Sequence, residues 1–236
     1  MKFTMKLPAD LKEMSMEDLL TTEWLVPKKQ RHFLRTKRHV LVNDAVARFS
    51  DRVTAGDQIT VIFDAEDFPA KPLLLGDQQL GQSLILYEDE HLVIVNKPEN
   101  MKTHGNNANE IALQNHVAAA CGQPVSVVHR LDFETSGAVL FAKNPFVLPI
   151  LDQMLRDRQI HRTYQALCAG QVPKDQLTID QAIGTDRHDK KRRVVVSRGG
   201  QRAVTHVLVL NRLPTESLVQ CQLETGRTHQ IRVHLS

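Results

Sequence analysis

The chain has 236 residues, 42% of them hydrophobic, and a formal net charge of +3. This length holds one large domain or a small domain beside a medium one, with ample apolar content for a core. A charge so near balance excludes a polycation, so any hold on nucleic acid must come from local basic clusters.

Residues 1–63 read as a small unit. Ser15-Met16-Glu17-Asp18 has the form of a helix start, a serine with a carboxylate three residues on. Leu19, Leu20, Trp24 and Leu25 then make an apolar stripe. Pro27 opens a second helical stretch that carries Lys28, Lys29, Arg31, Arg35, Lys37 and Arg38. A strand at Val40–Val42, a turn at Asn43-Asp44, a further strand, a turn at Gly56-Asp57 and a strand over 59–63 complete the unit. Residues 64–82 read as a linker, because Pro69, Pro72, Gly76 and Gly81 break any periodicity.

The second part, 83–236, opens with strands over 84–87 and 92–95 joined by a turn at 88–91. The block Ile94-Val95-Asn96-Lys97-Pro98 follows, and Asn100 in the next turn is a residue type that tolerates the left-handed conformation. A helix over 111–120, apolar strands over 125–128 and 138–142, and a helix capped by Asn144-Pro145 come next. That helix puts Val147, Ile150, Leu151, Met154 and Leu155 on one face and ends in Arg156, Arg158, His161 and Arg162. After a strand over 164–169, the segment 186–202, rich in arginine and lysine, reads as a basic surface loop or hairpin. Strands over 203–210, 218–223 and 231–235 close the chain. In the last of these Gln230, Arg232 and His234 face one way, and His229, Ile231 and Val233 the other.

The most informative stretch is His129-Arg130-Leu131-Asp132-Phe133-Glu134-Thr135-Ser136-Gly137. It sets a carboxylate, beside an arginine, in the reversal between two apolar strands, with Thr135, Ser136 and Gly137 as turn formers. A carboxylate on a tight loop held by two strands is fixed in space and still exposed, which suits a nucleophile or an acid/base group. Taken singly, the residues have plainer readings. Asp-Thr-Ser-Gly is a structural turn, Tyr164 a core or edge aromatic, Arg232 a surface ion-pair partner, and the basic runs are solvated faces.

Their joint order says more. The 129–137 stretch, then Arg162-Thr163-Tyr164-Gln165-Ala166, then Thr225-Gly226-Arg227-Thr228-His229-Gln230-Ile231-Arg232-Val233-His234 resemble the motifs of the RluA-type pseudouridine synthase family. The strand ending in Asn96-Lys97-Pro98 is similar to that family's first motif, with Glu99-Asn100 where a glycine is usual. The likeness covers most of residues 83–236. Two helices, the second basic, followed by turn-linked strands in 1–63 resemble the S-four-type αL RNA-binding domain that often precedes such synthases. The family pattern runs on for tens of residues past His234. The resemblance therefore implies a C-terminally incomplete catalytic domain with an open sheet edge beside 231–235.

The resemblance implies an α+β fold, a mixed, mainly antiparallel sheet flanked by helices, preceded by the small αL RNA-binding domain. It implies an RNA isomerase that detaches a uracil from its ribose, turns it and rejoins it through carbon 5 on a flipped-out nucleotide. No cofactor and no metal are expected. Asp132 is the nucleophile it implies, with attack on the ribose, attack on the uracil ring and assisted elimination to a glycal all open. Arg232 is the cation that holds its charge, and Tyr164 the ring that stacks on the uracil or moves a proton. Arg130 fills the vacated base stack, and His129 supports the loop. Thr135, Arg227, His229 and Gln230 complete the substrate-binding set. Lys28, Lys29, Arg31 and Arg35, with Lys191, Arg192 and Arg193, are expected on backbone phosphates. The expected partner is RNA, ribosomal first and transfer RNA second, for a monomer in the cytoplasm.

The principal rival is a catalytically inactive RNA-binding or ribosome-associated factor. Intact Asp132, Tyr164 and Arg232 speak against it. A retaining glycosidase wants a second carboxylate close by, and Glu134 is the only acidic neighbour in sequence. His229 and His234, on opposite faces of the expected strand, argue against a shared metal ion. Cys121, Cys168 and Cys221 form no Cys-x-x-Cys pair and read as reduced thiols. No apolar run approaches a signal peptide or a membrane span.

Overall fold

The computed structural model describes residues 1–68 and 73–236. Pro69 and Pro72 of the expected linker lie outside the described residues. The chain divides into two compact units, Met1–Gln153 and Met154–Ser236.

The first unit begins with β1 (Lys2–Lys6), β2 (Met14–Ser15) and the short helix α1 (Met16–Asp18), which passes into a π-helical turn over Leu19–Glu23. Helix α2 (Lys28–Lys37) is followed by β3 (Val40–Val42), β4 (Ala45–Val46), β5 (Arg52–Val53) and β6 (Gln58–Ile62). After a 3-10 turn at Ala65–Asp67 come α3 (Gln78–Ser83), β7 (Ile85–Glu88) and β8 (Leu92–Lys97). Helix α4 (Leu113–Cys121), β9 (Ser126–Val127), β10 (Gly137–Ala142) and α5 (Leu148–Arg156) follow. One sheet has the order β1-β6-β3-β4, another β7-β8-β10-β9, and β2 pairs with β5. All of these pairings are antiparallel.

Local chemistry accounts for most boundaries. Ser15 Oγ accepts from the Asp18 amide at 3.0 Å and caps α1. Arg38 closes α2 in the left-handed conformation, and the His39 amide reaches back to the Leu34 carbonyl. Asn43 and Asp44 both have positive φ, 49° and 67°, as a two-residue hairpin turn between β3 and β4 requires. Asn144 Oδ1 accepts from the Val147 amide at 2.9 Å ahead of α5. Other elements depart from expectation, α3 and β1 among them. The stretch read as a linker carries α3, capped by Asp77. The N-terminus forms β1, whose residues pair with β6 across more than fifty positions and leave no local signal.

A single apolar core joins the N-terminal residues to the segment after β10. It holds Phe3, Leu19, Leu20, Leu34, Val40, Ile59, Val61 and Phe63 together with Phe146. The Phe146 ring stacks on Phe3 at 5.1 Å between centroids and lies 5.0 Å from that of Phe63. Gln30 of α2 donates to the Pro145 carbonyl at 3.3 Å beside it. A module of about 60 residues buries too little surface to be robust alone, so this shared ring completes its core. Phe146→Ala is expected to lower unfolding free energy by about 3–5 kcal/mol in a urea titration, the cost of an unfilled aromatic site.

The second unit contains β11 (Thr163–Ala169), β12 (Gln176–Asp180), β13 (Ile183–Thr185), β14 (Arg193–Val195), β15 (Val204–Arg212), β16 (Glu216–Leu223) and helix α6 (Gln230–His234). Its main sheet has the antiparallel order β11-β16-β15-β12, and β13 and β14 form the expected basic hairpin. Val207, Val219 and Cys221 are its buried centre, with Tyr164, Ile231 and Leu235 packed against them. The whole is α+β, as expected.

The end of the chain corrects the reading. Residues 230–234 are helical, not a strand, so Gln230 and His234 lie one turn apart on one face. The open edge expected beside 231–235 therefore does not arise there. His229 is the left-handed residue that begins the helix and His234 is its last residue, so the two do not lie on opposite faces of a strand as expected.

Candidate active site

The 129–137 stretch spans the reversal between β9 and β10. The Thr135 amide donates to the Asp132 carbonyl at 3.1 Å, closing a four-residue turn with Phe133 and Glu134 at its tip. Gly137 leaves the turn at φ 126°, a conformation open to glycine. The Asp132 side chain is half-buried, Leu131 before it is buried, and Arg130 is exposed. His129 Nε2 accepts from the Leu140 amide of β10 at 3.2 Å, so this imidazole nitrogen ties the loop to its own strand.

Two residues to which the sequence reading gave no role hold the turn on either side of Asp132. Thr103 Oγ1 donates to the Leu131 carbonyl at 3.1 Å and accepts from the Leu131 amide at 3.2 Å. Lys97 Nζ donates to the carbonyls of Pro98 at 2.9 Å, Met101 at 2.6 Å and Phe133 at 3.2 Å. Lys97 is 0% exposed. Burial pushes the pKa of its ammonium below the usual lysine value, and the Asp132 carboxylate opposes that shift. A buried cation, its three donors used on backbone oxygens, thus lies within electrostatic reach of Asp132. The signal was present in the strand. Val93 and Val95 of β8 point inward, and Lys97 follows them on the same face. Asn100, at φ 59°, makes the left-handed turn that brings Met101 back to the ammonium.

In the second unit Tyr164 is half-buried in β11, opposite Cys221 of β16, on the sheet face that packs against Ile231. Arg232 lies on the exposed side of α6. With Lys191, Arg192, Arg193 and His229 it lines a cleft of about 590 Å³, in which Asp189 is the one acidic residue. Arg227, whose Nε donates to the Arg202 carbonyl at 2.9 Å, lines a second recess together with Arg193. The structure therefore brings Lys191, Arg192, Arg193, His229 and Arg232 together on one cleft, with Arg193 also lining the recess of Arg227.

Gln230 is placed differently from the expectation of substrate contact. Its amide nitrogen donates to the Val204 carbonyl and to Thr205 Oγ1, each at 3.0 Å. Its oxygen accepts from Thr225 Oγ1 at 2.8 Å and the Arg227 amide at 3.0 Å. With both donors and both lone pairs used, Gln230 has no polar capacity left for a ligand, and it positions the loop instead. His234 completes the network. Its Nε2 donates to the Gln181 carbonyl at 3.0 Å, and its Nδ1 hydrogen-bonds with Thr205 Oγ1 at 2.9 Å. Beside the motif, hydrogen bonding to His206 holds the Glu224 carboxyl below the usual range, with Arg158 adding to the shift.

The expected phosphate contacts on α2 are unequal. Lys28 and Lys29 are exposed. Arg31 donates to the Val26 carbonyl at 2.8 Å, and Arg35 pairs with Glu17 at 2.7 Å while lying over the Phe49 ring. Lys191 and Arg192 are exposed, and Arg193 bonds Thr185 across its own hairpin. Among the described residues no helix is long and apolar enough to cross a membrane.

Residues 91–236 match the family model described as RNA pseudouridylate synthase, and residues 3–59 match that of the RluD ribosomal pseudouridine synthase N-terminal domain. The chain is 38% identical over 213 residues to an uncharacterized RNA pseudouridine synthase, YhcT, of Bacillus subtilis, covering 86% of this chain and 66% of that protein. It is 38% identical over 206 residues to ribosomal large subunit pseudouridine synthase D of Neisseria meningitidis serogroup B, covering 83% of this chain and 53% of that one. The chain thus spans between about half and two thirds of the length of these relatives. Among solved structures, human RNA pseudouridylate synthase domain containing 4 superposes with a TM-score of 0.54 at 31% identity, covering 67% of each chain. With the synthase model matched over residues 91–236, more than half of its length, this chain belongs to the RNA pseudouridylate synthase family.

Proposed function

We propose that the protein isomerises uridine to pseudouridine within RNA, with ribosomal RNA as its target. The observation that carries this reading is the Asp132 turn, pinned on one side by Thr103 and on the other by buried Lys97. Such a carboxylate is held without its own oxygens being used by the pins, so they are available to a reacting nucleotide. The names of relatives that act on the large ribosomal subunit support ribosomal RNA over transfer RNA.

The reaction breaks the bond between uracil N1 and ribose C1′ and forms one between C5 and C1′. The C5 proton goes to solvent and N1 gains one, so no redox partner or energy donor is needed. Asp132 is the nucleophile in this reading, acting on a uridine flipped out of its helix, a movement that costs a few kcal/mol. Tyr164 supplies a ring face to the extruded base, and Arg232 the cation for the carboxylate. Arg130, exposed on the Asp132 loop, fills the vacated stack. Residues 1–63 serve as the RNA-binding module and residues 83–236 as the catalytic part, in a monomer acting in the cytoplasm.

RNA carrying tritium at uridine C5 tests the assignment. Release of tritium to water is the expected result, whereas free uracil or shortened RNA marks a hydrolase, and binding without either marks an inactive factor. The RNA-binding module has its own test. Replacing exposed Lys28 and Lys29 by Ala is expected to weaken binding and to make the slope of log K against log salt shallower by about 1.4–1.8, the loss of two phosphate contacts. An unchanged slope moves the phosphate contacts elsewhere.

A further inference from the structure

We propose that Phe133 is a specificity-determining residue that stacks on a nucleobase flanking the uridine to be isomerised; this rests on the reading of Asp132 as the reactive carboxylate. Phe133 is 50% exposed, at the first tip position of the turn whose first residue is Asp132. Turn tips favour Gly, Pro, Asn, Asp and Ser, which solvate well or suit the backbone, and a phenylalanine does neither. Among the described residues its ring makes no aromatic or cationic contact.

The ring is held out rather than left loose. The Phe133 carbonyl accepts from the buried Lys97 ammonium at 3.2 Å, and Leu131 two residues earlier is bonded through both its backbone groups to Thr103. The peptide units around Phe133 are thus fixed from below, and the direction in which its side chain leaves the turn is fixed with them. A rigid apolar face one residue from the reactive carboxylate is a ready stacking platform, because every base has a π-face and stacking requires no hydrogen-bond match. The extruded uridine occupies the carboxylate, so the base available to Phe133 is a neighbour on the same strand. Selectivity follows, since purines present more ring area than pyrimidines.

The test uses the full chain and a large-subunit ribosomal RNA transcript with tritium at uridine C5. Phe133→Leu, which keeps apolar bulk and loses the aromatic face, is expected to raise KM roughly tenfold or more with kcat within about twofold. Phe133→Trp is expected to restore KM. In a short RNA whose flanking nucleotide is made abasic, wild type and Phe133→Leu should converge. Stacking is also read without turnover. Trp24 is the sole tryptophan, so in a Trp24→Phe, Asp132→Asn background the indole introduced by Phe133→Trp reports on its own surroundings. Its fluorescence should be quenched when the transcript binds. A wild-type KM in Phe133→Leu, equal loss in the Leu and Trp variants, or unquenched indole in the bound complex overturns the proposal. Absence of tritium release from wild type with quenched indole overturns the synthase reading and leaves the stacking contact standing.

Discussion

Asp132→Asn is expected to abolish tritium release from C5-labelled RNA, by roughly three orders of magnitude or more, while RNA affinity stays within about twofold. The exchange is isosteric, and the hydrogen bonds that close and pin the turn are made by backbone groups, Thr103 and Lys97 rather than by the carboxylate. The turn is closed by the Asp132 carbonyl and pinned at Leu131 and Phe133, so the asparagine inherits the same backbone. What it loses is the charge and the nucleophilic oxygen. Preserved binding separates a chemical role from a structural one, and a variant that still releases tritium at the wild-type rate would remove Asp132 from the mechanism. Asp132→Glu is expected to be nearly as inactive, because one added methylene displaces the carboxylate from a turn whose flanks cannot shift to compensate.

Lys97→Met carries the largest expected stability effect in the site. The thioether fills much of the lysine volume and donates nothing, so the buried carbonyls of Pro98, Met101 and Phe133 lose their common donor. Bonds from a charged donor are worth about 1.5–3 kcal/mol each, and relief from burying a charge offsets part of the sum. A net loss of about 3 kcal/mol follows. For a chain of this size that is a fall of roughly 6–12 °C in Tm. Activity should fall with it through kcat, because the Phe133 side of the turn is freed. The pH dependence gives a second signature. Burial lowers the Lys97 pKa, so as pH rises the folded protein releases this proton before the unfolded chain does. The group's contribution to stability is fully present above the unfolded value of 10.5 and is lost as pH falls through the folded value. That alkaline rise should be absent in Lys97→Met. A variant that melts with wild type would show that the ammonium does not hold the loop.

Different kinds of residue were legible to different degrees. The cap at Ser15, the hairpin turn at Asn43-Asp44, the left-handed Asn100 and the cap at Asn144 follow from side chains acting within a few positions of themselves. The strands on either side of Asp132 were legible for the same reason, since an apolar run that meets a cluster of turn formers leaves few alternatives. Residues 230–234 misled because Gln-Ile-Arg-Val-His alternates with the period of a strand and holds two β-branched residues. Their helical state is set by Gln230 and His234 reaching Val204, Thr205 and Gln181. For Lys97 the alternation with Val93 and Val95 marks an inward position, whereas its bond to the Phe133 carbonyl, 36 positions away, is decided only by the fold.

From the sequence alone came the family and the turn that bears Asp132, because these depend on neighbours along the chain and on the order of short blocks. The tertiary structure alone decided that Phe146 completes the core of the N-terminal residues, that Thr103 and Lys97 grip the turn, and that the last motif folds as a helix with Gln230 saturated inside it. The reason is the reach of the bonds involved. Thr103 lies 28 positions from Leu131, Lys97 lies 36 from Phe133, and Gln230 lies 25 from Thr205. A buried polar atom takes whichever partner the fold brings to it, and that partner is chosen only when the chain has closed.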